Sequence, residues 1–122
     1  MVKLIEELAP DTIINDRIGA EYPDFVTREG LEHIPQATLY ENWEFCWNLG
    51  CFWGYNPRNY QEKILKTPEH YIETLIKVSS LGGNYLLNVG PTSEGLIPQP
   101  SVERLQAVGR WMKLLVPTMP SR

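Results

Sequence analysis

Cysteine is scarce. Cys46 and Cys51 are the two in 122 residues, too few for a disulfide scaffold, and no Cys-x-x-Cys pair occurs. The two histidines, His33 and His70, stand far apart, so the ligand spacing of a structural zinc site is missing. The 11 Lys and Arg form no basic run and the net charge is −4, which argues against a surface that tracks nucleic-acid phosphates. No apolar run approaches the roughly 20 residues of a membrane span. The opening residues 1–8 carry early acids and no long apolar core, unlike a signal peptide, so the cytoplasm is the expected compartment by default. A Gly-x-Ser-x-Gly elbow, a Gly-x-Gly-x-x-Gly turn and a P-loop are all absent.

Length sets a further bound. A chain of 122 residues holds one modest core, whereas a whole (β/α)₈ barrel needs roughly 200 residues or more. Hydrophobic residues make up 43% and charged residues 21%, a globular balance that excludes disorder. Aromatics are plentiful: four Trp, six Tyr and three Phe, several of them between Tyr40 and Tyr60. Such a cluster serves as core, as an interface between copies, or as a platform for the C–H faces of a pyranose. The residues alone leave these readings open.

Hydrophobic periodicity and punctuation predict the order of elements. Leu4, Ile5 and Leu8 read as the last turns of a helix closed by Pro10. Thr12-Ile13-Ile14 reads as a short buried strand running into Asn15-Asp16-Arg17. Residues 18–42 hold Gly19, Pro23, Gly30 and Pro35 and read as a long loop of the functional kind. Residues 43–47 read as a second strand, continued or followed by a turn at Phe52–Asn56. Thr67-Pro68-Glu69 starts a helix whose apolar face is Ile72, Leu75, Ile76 and Ser79, stopped by Gly82-Gly83. Tyr85–Val89 is the clearest strand, ended by Gly90-Pro91. Ser101 caps a last helix with Leu105, Val108, Trp111, Met112 and Leu115 on its apolar side, ended by Pro117 and Pro120. Strands alternating with helices predict an α/β fold with a parallel sheet. Such a sheet wants cover on both faces and has open edges that invite pairing.

The loop after the first strand gathers Asp16, Arg17, Glu21, Asp24 and Glu29. Catalytic groups of α/β folds sit at the C-terminal ends of strands. Arg17, just past a strand end, is placed to order a carboxylate or a hydroxylated ligand. A carboxyl such as Glu29, held on a loop beside aromatics, would lose water and suit a general acid. Glu44, between Trp43 and Phe45 in a predicted strand, needs a partner, and a salt bridge to Arg17 is the expected one.

Five segments occur in order: Ile14-Asn15-Asp16-Arg17, Asp24-Phe25-Val26-Thr27-Arg28-Glu29, Trp43-Glu44-Phe45-Cys46, Trp53-Gly54-Tyr55-Asn56 and Gly82-Gly83-Asn84-Tyr85-Leu86-Leu87-Asn88-Val89-Gly90-Pro91. Together they resemble the C-terminal half of the catalytic domain of α-L-fucosidases, family 29 of the glycoside hydrolases. Glu94-Gly95-Leu96-Ile97-Pro98 and a helix with Gly109-Arg110-Trp111 extend the likeness. The resemblance implies about half of a TIM-type (β/α)₈ barrel, one truncated catalytic domain over residues 1–122 without the family's β-sandwich. It implies hydrolysis of terminal α-L-fucosyl linkages, in a fucosylated glycan or an aryl fucoside, with retention of configuration and with no metal or organic cofactor.

The same resemblance implies roles for residues. Glu29 falls on the general acid/base of several members and Arg17 on an active-site arginine. Trp53 falls on an aromatic of the fucose pocket, with Tyr55 in the same motif. The family's Asp nucleophile and its hydroxyl-gripping histidines belong to earlier strands; Asp16, Asp24 and Glu44 are the candidates for a second carboxyl, and nothing in the sequence favours one of them. Three arrangements follow: a small fucosidase active as a homo-oligomer, one half of a split enzyme needing a complementary N-terminal chain, or a non-catalytic remnant that binds fucose through Arg17 and Trp53.

Overall fold

The computed structural model describes residues 2–19, 21, 23–31, 34–36, 42–61 and 64–115. Helix α1 spans Val2–Leu8, followed by a single 3₁₀ turn at Asp16–Ile18. Strand β1 is Val26–Glu29, β2 is Trp43–Asn48, and a short helix α2 covers Arg58–Gln61. Helix α3, Pro68–Ser80, leads to β3, Asn84–Asn88, and α4 closes the described chain at Gln99–Leu115. The three strands form one parallel sheet in the order β1-β2-β3. In register, Val26 pairs with Trp43, Thr27 with Glu44, Arg28 with Phe45 and Glu29 with Cys46. The α/β class expected from the alternation of elements is therefore present, with α3 as the crossover that a parallel β2–β3 pair requires. No helix among the described residues is long and apolar enough to cross a membrane.

The chain divides into two compact units, Met1–Trp47 with Lys77–Leu86, and Asn48–Ile76 with Leu87–Arg122. In the first, Ile34, Trp43, Phe45 and Val78 are buried, with Val26, Trp47, Leu81 and Tyr85 packed on them. Side chains alternate along a strand, so Val26, Trp43 and Phe45 share the apolar face. Thr27, Glu29, Glu44 and Cys46 share the other. Phe45 lies 5.5 Å from Tyr85, ring centroid to centroid, in a tilted pair that adds to burial alone.

The two glycines after α3 do different work in this unit. The Gly83 amide donates to the Val78 carbonyl and the Gly82 amide to that of Ser79, each at 3.0 Å. With Gly82 at φ 79°, these bonds form a Schellman motif that satisfies the last carbonyls of the helix. Gly83 is needed for a different reason: a Cβ there would run into the Trp43 indole ring. The Trp43 indole N–H in turn donates to the Leu81 carbonyl at 3.2 Å. A helix stop and a buried indole are thus built from one Gly-Gly pair.

In the second unit Leu49, Leu65 and Tyr71 are buried, and Tyr60, Leu87, Val89, Leu105 and Val108 pack around them. The Tyr71 hydroxyl donates to the Leu49 carbonyl and accepts from the Lys66 amide. Burial, opposed by the Lys66 amide, pushes this phenol above its ordinary pKa. Pro68 opens α3 as expected, and the Glu69 carboxyl in the first turn is held below its usual range by its own amide and then by the Thr67 hydroxyl.

Several expectations change. Thr12-Ile13-Ile14 forms no strand: Ile14 is buried, but Ile13 is 72% exposed, and pairing is confined to one parallel bridge between Asn15 and Phe25. The loop expected over residues 18–42 contains β1, whose Val26-Thr27 pair is β-branched and whose register is set by β2. The buried stripe of α3 runs through Tyr71, Thr74 and Val78, not Ile72, Ile76 and Ser79; Ile76 is 49% exposed. Tyr71 and Val78 lie two turns apart on one side, and Thr74 tolerates the stripe because its hydroxyl donates to the His70 carbonyl at 2.8 Å. Ser101 is not the cap of α4. The Pro98 carbonyl accepts from Ser101 and Val102, while Ser101 is buried with its hydroxyl 3.3 Å from that of Tyr60. His33 and the tail from Pro117 lie outside the described residues.

Candidate active site

The candidate site begins at Asn15. Its backbone is extended at φ −85° and ψ 154°, and its side chain accepts from the Arg17 amide at 2.9 Å, capping the 3₁₀ turn. Gly19, at φ 73°, closes that turn by donating to the Asp16 carbonyl at 3.0 Å. The turn is stitched to β1. Asn15 Nδ2 donates to the Thr27 hydroxyl at 2.6 Å, and the Thr27 amide donates to Asp16 Oδ1 at 3.0 Å. One Asp16 oxygen is therefore spent on a backbone amide, a positioning role for a residue also considered as a second carboxyl.

Held in this way, Arg17 pairs with Glu29: its Nη2 donates to Glu29 Oε1. Glu29 does not sit on a loop but is the last residue of β1, before Gly30 at φ 90°. Its carboxyl is paired with the Arg17 guanidinium. The side chains remain 54% and 37% exposed, open to a ligand. The expected bridge from Arg17 to Glu44 gives way to this pair, because Arg17 lies near the C-terminal end of β1 and Glu44 near the start of β2.

Glu44 lines a cleft of about 390 Å³ with Ile13, Asp24, Phe25, Asn42 and Asn84. Asp24 is engaged there, accepting from the Ile14 amide at 2.6 Å. Glu29 and Glu44 are diagonal neighbours on one sheet face, their Cα atoms about 8 Å apart by strand spacing. Cys46 lies between them, paired in register with Glu29. Burial pushes its thiol pKa up first, the carboxylates of Glu29 and Glu44 push it further, and Arg17 opposes them. The structure thus brings Arg17, Glu29, Cys46 and Glu44 within one electrostatic neighbourhood. Sequence reasoning passed over Asn15, Thr27 and Cys46. The available signal was period-two alternation, which puts Glu44 and Cys46 on one face of β2.

Trp53 and Tyr55 belong to the second unit, in the segment between β2 and α2. Phe52, Trp53 and Tyr55 are 38%, 47% and 47% exposed, and Tyr55 stacks on Tyr60 at 6.2 Å. Both cysteines are free thiols. Among the described residues no three His, Cys, Asp or Glu side chains are arranged to hold a metal ion.

A carboxyl at a strand end, gripped by a guanidinium and open to solvent, can exchange protons with a ligand whose hydroxyls the guanidinium orders. Known proteins resemble this chain in sequence and in fold. The α-L-fucosidase family model matches residues 1–115. The tissue α-L-fucosidase of Homo sapiens is 42% identical over 109 residues, covering 85% of this chain and 23% of that protein. One solved α-L-fucosidase superposes with a TM-score of 0.82 at 37% identity, over 92% of this chain and 25% of its own. The α-fucosidase of Thermotoga maritima in complex with fucose gives a TM-score of 0.73 at 35% identity, over 90% of this chain and 24% of that one. The chain spans about a quarter of the length of these relatives. With the family model matched over nearly its whole length, the chain belongs to the α-L-fucosidase family.

Proposed function

We propose that this chain carries the acid/base portion of an α-L-fucosidase active site, cleaving terminal α-L-fucosyl groups from a fucosylated glycan or an aryl fucoside. The observation that carries the reading is the Arg17–Glu29 pair at the C-terminal end of β1. Glu29 donates its proton to the glycosidic oxygen as the anomeric C–O bond breaks, while a second carboxylate attacks the anomeric carbon. Glu29 then takes a proton from the water that releases fucose, so configuration is retained. Such a mechanism places the two carboxyls about 5–5.5 Å apart. Arg17 orders Glu29 and the sugar hydroxyls; in the second unit, taken by itself, Trp53 and Tyr55 are exposed aromatic faces of the kind a sugar stacks on.

The three parallel strands read as part of a half-barrel, one catalytic domain whose polar sheet face calls for cover. In the first reading a second copy of the chain covers that face and supplies the second carboxyl, Asp16 or Glu44. In the second reading a separate partner chain brings the nucleophile. The test is hydrolysis of 4-nitrophenyl α-L-fucopyranoside by the purified chain beside Glu29→Gln. A loss of about 10²–10⁴-fold in the variant supports the role of Glu29. Inert protein restored by an added partner chain that carries the nucleophile supports the second reading, and hydrolysis unchanged in Glu29→Gln overturns both.

A further inference from the structure

We propose that Asn88 is a positioning residue, whose side-chain amide holds the Trp53 segment in a sugar-receiving shape before any ligand arrives. The proposal rests on the reading of Trp53 and Tyr55 as sugar-receiving aromatics. Asn88 is the last residue of β3. Its Nδ2 donates to the Trp53 carbonyl at 2.7 Å and to Asn48 Oδ1 at 3.2 Å. An amide nitrogen has two hydrogens, so both are used. The Asn48 acceptor is itself buried, and the Asn88 carbonyl accepts from the Leu49 amide at 2.9 Å. Asn88 is therefore fixed by β2 while it fastens the segment that follows β2.

Two more contacts fasten the same segment. A Cβ on Gly90 would come within 2.5 Å of the Gly54 carbonyl carbon and the Tyr55 nitrogen, so this backbone lies directly against the turn after β3. At the other end Asn59 Oδ1 accepts from the Cys51 amide at 3.0 Å. Residues 51–55 are mostly exposed and have no ladder of their own. Exposed aromatics tend to collapse onto nearby apolar surface, and a loop that must order on binding spends affinity doing so. Side-chain clamps from β3 and α2 remove that cost. Neither Asn88 nor Gly90 needs to touch the sugar to do this.

The test compares Asn88→Ala and Asn88→Asp with the unmodified chain. Aspartate keeps the shape of asparagine but, ionised, has no donor. Three readouts are used: amide hydrogen exchange of peptides covering residues 50–56, acrylamide quenching of Trp53 taken as the difference from a matched Trp53→Phe background, and affinity for L-fucose. Both variants should speed exchange in this segment and raise Trp53 quenching, while peptides from α4 keep their protection. L-fucose should bind about three- to tenfold more weakly, the worth of one lost hydrogen bond. Asn88→Asp should recover part of its protection near pH 4, where a protonated carboxyl regains one donor, and Asn88→Ala should not. Unchanged exchange and quenching in both variants would overturn the proposal, as would a rise spread equally over the whole chain. If the unmodified chain fails to bind L-fucose, the sugar reading falls alone, and exchange and quenching still decide whether Asn88 holds the segment.

Discussion

Arg17 Nη2 donates to Glu29 Oε1 across twelve residues of sequence, joining the capped 3₁₀ turn to the end of β1. Both side chains are more than a third exposed, so the pair adds only about 0–1 kcal/mol to stability. Its value is geometric. Arg17→Ala should leave the melting temperature close to that of the unmodified chain and lower kcat/KM for an aryl α-L-fucoside by about 10²-fold. Arg17→Lys should recover little, because a point charge cannot reproduce a planar fork of donors. Melting curves and initial rates on the same preparations check both statements.

The glycines after α3 should separate in a urea titration. Gly83→Ala drives a methyl into the Trp43 ring and should cost about 1–3 kcal/mol, with a changed Trp43 emission as the indole shifts. Gly82→Ala forces a left-handed φ of 79° on an L side chain, at about 1 kcal/mol. A Gly83→Ala chain as stable as the parent, with unaltered emission, would contradict the packing described.

Tyr71 predicts an alkaline limit to stability. Its hydroxyl bridges the Leu49 carbonyl and the Lys66 amide, and burial raises its pKa in the folded state. The folded chain thus holds this proton more tightly than the unfolded chain. Stability from this source is complete below the unfolded value of about 10 and declines as pH rises through the higher folded value. Tyr71→Phe should cost about 1–3 kcal/mol at pH 7, where two backbone groups lose their partner, and the gap should narrow above pH 10. Urea midpoints at several pH values read both effects.

The two thiols should react in two phases. Cys51 is exposed, whereas Cys46 is half-buried, with its pKa raised by burial and by the carboxylates of Glu29 and Glu44. At pH 7.5 a disulfide reagent should modify Cys51 quickly and Cys46 slowly, since the thiolate is the reacting form. Glu29→Gln removes one of the charges that raise the Cys46 pKa, so the slow phase should accelerate. Equal rates at both cysteines would contradict the placement of Cys46.

The parts of this fold legible in sequence were those with local punctuation. Thr67-Pro68 fixed the start of α3, Gly82-Gly83 its end, and Tyr85–Val89 lay within a residue of β3. What sequence missed depended on distant partners. Nothing local announces Val26–Glu29 as a strand, because its pairing is with Trp43–Cys46. The stripe of α3 shifted because a polar Thr74 can be buried once its hydroxyl finds a carbonyl one turn back. Within the site, Arg17 follows not the expected strand but a single bridge from Asn15 to Phe25. Its partner was misjudged, since choosing between Glu29 and Glu44 required the parallel register.

Hydrolysis of aryl α-L-fucosides graded by leaving-group acidity, by the chain and its Glu29→Gln variant, tests the central claim most directly. A general acid matters most when the leaving group is a poor one. The loss in kcat/KM of Glu29→Gln should therefore be largest for a weakly acidic phenol and shrink toward parity for a dinitrophenol, since kcat/KM reports the step in which the leaving group departs. An equal loss across the series, or none at all, would contradict the assignment of Glu29 as the proton donor.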